Sequence, residues 1–138
     1  MSPANLATPY YDDGGELTCY CSVAVIGKRF VKISGPRQAG NPRQGVTDAV
    51  VGGNITVAPC AAGDDVFGVA AHDADVGTLV TVYRGKKIVP VQAGAALTAG
   101  DVVEAGAAGV AVVGDEATAA GVSIDTAVSG ADAQIALA

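Results

Sequence analysis

Apolar and polar residues alternate over short stretches of this chain, and glycine-rich turns separate the stretches. The first stretch places apolar side chains at every second position: Leu17, Cys19, Cys21, Val23 and Val25. A period of two puts one face of a β-strand against a core. Gly27-Lys28 and a second run, Arg29 to Ser34, follow at once. This spacing predicts a β-hairpin with glycine first in its turn.

Further short strands are predicted along the rest of the chain: Asn54 to Ala58, Val66 to Ala71, Thr78 to Tyr83, Ile88 to Val91, Asp101 to Glu104, Val110 to Val113, Ala120 to Ile124 and Ala133 to Leu137. No amphipathic helical period runs for three turns. Regular strand spacing with glycine between the strands is typical of an all-β fold, a compact β-barrel or β-sandwich of short strands. The core is expected to consist mainly of Ala and Val, because aromatic residues make up 4% and Trp is absent.

Two segments lack this alternation. Met1 to Glu16 is polar, contains Pro3, Pro9 and Gly14-Gly15, and is predicted to be an extended N-terminal arm that becomes ordered only against a partner. Ser34 to Gly53 has the composition of a long loop, which inside a compact domain is often functional or disordered. Residues 17–138 are predicted to form a single β domain.

The chain also resembles itself. Gly68, Gly77, Val80 and Val82 are matched by Gly121, Gly130, Ala133 and Ile135, each 53 residues later. Ahead of each copy lies a predicted strand pair, Leu17 to Ser34 in the first half and Asp101 to Val113 in the second. We interpret this as a pseudo-duplicated β unit with halves 17–87 and 88–138 that close one core. Chance similarity in an Ala/Gly/Val-rich sequence is the alternative.

Charge is unevenly distributed along the chain. The formal net charge is −6, yet residues 88–138 contain no Lys or Arg, so all eight basic residues lie before them. Five occupy a stretch without acids: Lys28, Arg29, Lys32, Arg37 and Arg43. This stretch is either a solvated loop or a positive patch that contacts an acidic protein surface. Nucleic acid would require a dominant basic face with interleaved aromatics, which the sequence lacks.

The sequence offers no catalytic constellation. A nucleophilic Ser or Cys needs a base within reach, and His72 is the only histidine in the sequence. The carboxylate pairs Asp12-Asp13 and Asp64-Asp65 have no other catalytic residue types beside them. The glycines match no phosphate-binding motif. Cys19, Cys21 and Cys60 are expected to be buried thiols that act as small hydrophobes. No cofactor, metal site or enzymatic activity is therefore predicted.

No signal peptide and no membrane-spanning segment are recognisable, so synthesis in a cytoplasm and no membrane partner are expected.

Several stretches resemble capsid decoration (cement) proteins of tailed bacteriophages, especially those of actinobacterial hosts. The strongest are Val25 to Gly35, Gly53 to Pro59, Val66 to Ala70 and Gly77 to Gly85, and the similarity extends through Gly100 to Glu104, Ala120 to Val122 and Gly130 to Ala133. The resemblance implies a β-barrel or β-sandwich that binds the outside of an expanded head where major capsid protein subunits meet, often as a trimer. It implies no catalytic residue.

These observations lead to the hypothesis of a virion structural protein whose contacts to the capsid or to other subunits involve Tyr10, Tyr11, Lys28, Arg29, Lys32, Arg37 and Arg43. Tyrosines suit contact surfaces because they combine a large apolar ring with a polar tip. The rival hypothesis is a small ligand-binding or enzyme-accessory β domain with a pocket lined by Tyr10, Tyr11, Tyr20 and His72.

Overall fold

The computed structural model describes residues 5–8, 16–37 and 54–138. Within these residues the chain forms ten strands and one short 3-10 turn: β1 Glu16–Cys21, β2 Phe30–Ile33, β3 Ile55–Pro59, β4 Gly68–Ala70, β5 Leu79–Tyr83, β6 Ile88–Gln92, β7 Val102–Ala105, the turn Ala107–Gly109, β8 Ala111–Val113, β9 Gly121–Ser123 and β10 Asp132–Leu137. The prediction of an all-β fold is confirmed, and each predicted strand is present with ends shifted by a few residues. No helix in the described ranges has the length and apolar character needed to cross a membrane.

Strands β1 to β5 form a closed barrel in the order β1-β3-β2-β4-β5. The predicted hairpin between β1 and β2 is wrong, because β1 pairs in parallel with β3 and antiparallel with β5. Strand β2 pairs instead with β3 and β4. Strand β3 lies between the two strands that sequence order would have paired.

Small side chains fill this barrel. A buried cluster unites the inward-facing residues of its strands and of the turn after β1: Cys19, Cys21, Val25, Val31, Val57, Ala70, Val80 and Val82. The expected burial of the cysteines as small hydrophobes is confirmed, because all three are free and buried. Strand β1 ends at Cys21, so the predicted alternation stops there and Val23 is exposed.

The second half repeats the topology of the first. Its sheet has the order β6-β10-β9-β7-β8. Strands β6 to β10 correspond in turn to β1 to β5, and neighbouring strands in this sheet correspond to neighbouring strands in the barrel. A single parallel bridge between Ala93 and Ala111 stands where β1 and β3 pair in the first half. Strands β7 and β8 therefore correspond to β2 and β3, which corrects the predicted match to the β1–β2 segment.

The repeated glycines have a structural cause. A Cβ on Gly68 would come within 2.5 Å of the Tyr83 carbonyl oxygen, and one on Gly121 would collide with the Ala136 carbonyl oxygen. Both glycines let a strand approach the next strand's backbone closely. Gly77 and Gly130 have φ of 81° and 87°, a conformation that favours glycine.

The halves share a core. Phe30 and Val69 point out of the first barrel and, with Cys60, join the buried cluster of the second half. Backbone hydrogen bonds reinforce this contact, because the Gln92 N–H donates to the Lys28 carbonyl oxygen at 2.7 Å and the Gly63 N–H to that of Ala105 at 2.9 Å.

Part of the predicted arm contacts the barrel. Ala7 is buried, and its N–H donates to the Ala71 carbonyl oxygen at 2.6 Å. The Asn5 amide donates to both carboxylate oxygens of Asp73, at 2.9 and 3.1 Å. The expectation of an arm ordered only by a partner is therefore wrong for residues 5–8, and the rest of the arm up to residue 15 lies outside the described residues.

Candidate functional site

Two of the predicted basic contact residues join the halves of the protein. Lys28, in the turn before β2, forms a 2.9 Å ion pair with Asp132. Arg29 donates two hydrogen bonds to Gln92 Oε1, at 3.2 Å from Nε and 3.0 Å from Nη2. Lys28 has φ of 63°, and its counterpart in the second half is Gly100, with φ of 91°. Lysine at this left-handed position, where the second half has a glycine, provides the charged side chain that contacts Asp132.

Lys32 also forms an ion pair, to Asp64 at 2.8 Å. Asp64 also accepts the Ala61 N–H at 2.8 Å. The hydrogen bond with Asp64 raises the pKa of Lys32, and the bonds from Lys32 and Ala61 lower the pKa of Asp64. Both groups are therefore charged at neutral pH, and each neutralises the other.

The other predicted contact residues have less structural description. Arg37 is exposed and lies four residues beyond the end of β2. The neighbouring backbone is fixed by Thr56, whose hydroxyl donates to the Pro36 carbonyl oxygen at 2.7 Å. Arg43, Tyr10 and Tyr11 lie outside the described residues. A contact role for the whole set remains a prediction.

A surface cleft of about 350 Å³ lies beside the Lys32–Asp64 pair, and we call it the β2 cleft; it is lined by Lys32, Ile33, Asp64, Asp65, Val66, Phe67 and Arg84. The guanidinium carbon of Arg84 lies 4.3 Å from the centroid of the Phe67 ring. Its Nε donates to the Phe67 carbonyl oxygen at 2.6 Å. This cation–π contact and hydrogen bond hold the positive group of Arg84 against Phe67.

A smaller recess of about 90 Å³ shares Val66, Phe67 and Arg84 with the β2 cleft. Its other wall comes from the second half and includes Ala120 and Leu137. The Phe67–Arg84 pair therefore separates two depressions, one on the first barrel and one at the seam between the halves.

His72 and its neighbours maintain local structure. His72 Nδ1 lies 2.8 Å from the Asp73 carbonyl oxygen, and the Asp73 carboxylate accepts the Gly27 N–H at 2.9 Å. Neither His72 nor Tyr20 lines the two depressions described above, and Tyr10 and Tyr11 lie outside the described residues, so the rival pocket stays a prediction. Among the described residues, no group of three His, Cys, Asp or Glu side chains is placed to hold a metal ion.

The cysteines are chemically protected. Burial raises the pKa of all three thiols, to about 11 for Cys21 and to about 12 for Cys60. Thiolates are the reactive form of cysteine, so these side chains are inert near neutral pH.

The β2 cleft contains residues that the sequence did not single out. Ile33, Phe67 and Arg84 come from three separate segments of the chain, and no spacing links them. An exposed arginine next to an exposed isoleucine is the kind of amphipathic surface that protein partners use.

The chain matches no protein-family model and no curated protein sequence. Among solved structures it is similar to the N base of the head fiber protein gp8.5 of bacteriophage phi29. The two chains are 22% identical, the match covers 89% of this chain and 92% of the other, and the TM-score is 0.67. This similarity establishes a common fold over nearly the whole length of both chains.

Proposed function

We propose that the protein is a non-enzymatic structural protein of a tailed-phage virion, and that it binds the outer surface of the icosahedral capsid and stabilises it. The observation that carries this proposal is the fold shared with the base of a phage head fiber. In its finer form the proposal is a decoration protein of the type found in actinobacteriophages, made in the host cytoplasm, with the major capsid protein as partner and a homotrimer as the favoured assembly.

The surface chemistry supports a binding role. The lining of the β2 cleft provides no histidine, cysteine or hydroxyl group, and its ion pair is already internally satisfied. Such a lining suits contact with another protein better than proton transfer or nucleophilic attack, which need a group with a free base nearby.

The basic stretch is proposed to contact an acidic capsid surface. Lys28 and Lys32 each have an acidic partner within the chain, so their charges are largely compensated. Arg37 and Arg43, which lie within the segment Ser34 to Gly53, are proposed to contribute to the same electrostatic contact, and Tyr10 and Tyr11 to add an apolar one. Exposed charges are screened over ~10 Å at 0.1 M salt, so this part of the binding weakens as salt rises.

The test uses expanded heads assembled without the protein, mixed with purified protein, and measures occupancy by cryo-electron microscopy and by sedimentation with the heads. We expect occupancy to fall with salt and to fall further for an Arg37→Glu/Arg43→Glu double variant. Lys86→Glu, a charge reversal at an exposed lysine outside the basic stretch Lys28 to Arg43, is the matched control and should bind like wild type. No binding of the wild-type protein at any salt concentration would refute the proposed function.

The N-terminal contact is tested with Tyr10→Ala/Tyr11→Ala rather than with a deletion. Removing the whole segment would also remove the contacts of Asn5 and Ala7 with the barrel. The double variant should melt like wild type and occupy fewer sites on heads. Wild-type occupancy would exclude the tyrosines as anchors.

A further inference from the structure

Residues 5–8 are seated on the first barrel through specific contacts, and we call them the N-terminal strap. The Ala7 side chain is 1% exposed, and the Ala7 N–H donates to the Ala71 carbonyl oxygen at 2.6 Å. The Asn5 side-chain amide donates to both carboxylate oxygens of Asp73, at 2.9 and 3.1 Å. We call this double hydrogen bond the latch. The strap is therefore held at two points, a buried alanine and a polar latch.

The barrel surface is shaped to receive the strap. A Cβ on Gly27 would collide with the Asn5 carbonyl oxygen, so a glycine at this position leaves room for the strap. The Gly27 N–H donates to the Asp73 carboxylate at 2.9 Å, which fixes the acceptor of the latch in place. Asn5 has φ of 54°, a left-handed conformation that asparagine and aspartate adopt more readily than most residues. Both partners of the latch therefore fit the backbone around them.

The internal repeat shows that the fold itself does not require this seat. One isolated β-bridge joins the turn after β1 to the turn after β4, and another joins the equivalent turns of the second half. In the second half, however, Ala99 and Thr126 occupy the positions of Gly27 and Asp73. The glycine and the carboxylate that receive the strap are therefore present only in the half that carries it.

The strap changes how the predicted contact tyrosines are attached to the barrel. Strand β1 begins at Glu16 and belongs to the same barrel as the seat of the strap. Described contacts therefore fix the chain to one barrel both before and after residues 9–15, which include Tyr10 and Tyr11 and lie outside the described residues. A segment fixed at both ends samples fewer conformations than one fixed at a single end. It consequently loses less conformational entropy when it binds a partner.

We propose that Asn5 and Asp73 are positioning residues for the N-terminal contact with the capsid. The latch keeps the strap on the barrel, and the seated strap restrains the segment that carries Tyr10 and Tyr11. Neither Asn5 nor Asp73 has to touch the capsid for this effect, because it acts through the restraint. This inference rests on the proposed function, since it assigns the latch a role in head binding. Release of the strap should weaken head binding on the order of tenfold.

The test variant is Asn5→Asp, which places a second carboxylate against Asp73 and keeps a residue type that tolerates the left-handed φ. In the free full-length protein, the Ala7 amide hydrogen should exchange with solvent faster than in wild type, as measured by NMR. On expanded heads assembled without the protein, sedimentation over a range of protein concentrations should show binding weakened on the order of tenfold. Circular dichroism confirms that each variant is folded.

Two further variants make the result specific to the latch. The swap variant Asn5→Asp/Asp73→Asn reverses donor and acceptor, so the hydrogen bond can form again while the new amide oxygen still accepts the Gly27 N–H. Slow exchange at Ala7 and wild-type head binding should both return in the swap variant. Gln134→Glu is the charge control, because it adds the same negative charge to the second half, and it should bind heads like wild type.

Normal head binding by Asn5→Asp, despite faster exchange at Ala7, would overturn the positioning role and leave the proposed function intact. Unchanged exchange at Ala7 would overturn the role as well, because the latch would then not hold the strap. Failure of the swap variant to restore binding, or weak binding by Gln134→Glu, would assign the loss to the added negative charge and would also overturn it. A wild type that binds no heads would overturn the proposed function together with this inference.

Discussion

Phe30 should contribute more than any other side chain to the stability of the contact between the two halves. Its neighbour Val31 points into the first barrel, whereas Phe30 itself is fully buried in the core of the second half. Phe30→Ala removes the largest side chain of this contact and leaves a cavity that the rigid strands around it cannot close. Core Phe→Ala changes cost ~3 to 5 kcal/mol, a large share of the ~5 to 15 kcal/mol by which domains are usually stable.

The assay is urea unfolding followed by far-UV circular dichroism, since the protein has no Trp. With a denaturant slope of ~2 kcal/mol/M, a loss of ~4 kcal/mol lowers the midpoint by ~2 M. Ile33→Ala is the matched control on the same strand, because that side chain is more than half exposed and should change stability by less than ~1 kcal/mol. If Phe30→Ala is as mild as the control, Phe30 does not hold the halves together.

Three further results are expected. The pKa of Asp64 is lowered and that of Lys32 is raised, so their ion pair stabilises the fold between about pH 4 and about pH 10. The difference in melting temperature between wild type and Asp64→Asn should therefore vanish as the pH falls below about 4. Gly68→Ala should lower stability by ~1 to 3 kcal/mol because its Cβ meets the backbone of β5, whereas Gly35→Ala, with nothing within 4 Å, should be neutral or slightly stabilising. In native protein at pH 8 the three thiols should resist alkylation and react only on unfolding, and rapid labelling of the native protein, counted by mass spectrometry, would contradict this. Because burial raises the pKa of Cys60 to about 12, the free energy of unfolding should also decline as the pH rises above about 8.5.

The sequence by itself determined the strands. Alternation and glycine punctuation are local signals, so the positions of all ten strands could be predicted to within a few residues. The glycine repeat was also visible in the sequence, because close strand approach at Gly68 and Gly121 and positive φ at Gly77 and Gly130 tolerate almost no other residue. Burial of Cys19 and Cys21 followed from the same period of two.

Only the tertiary structure decided which strands pair and which side chains meet. The β1–β2 hairpin was predicted from adjacency, yet β3 lies between those strands, because pairing is a choice among distant segments that no local pattern encodes. The basic stretch looked like a free patch, but Lys28 meets an aspartate 104 residues away and Lys32 one 32 residues away. The β2 cleft likewise exists only after folding, because it is assembled from segments whose proximity depends on the closure of the barrel.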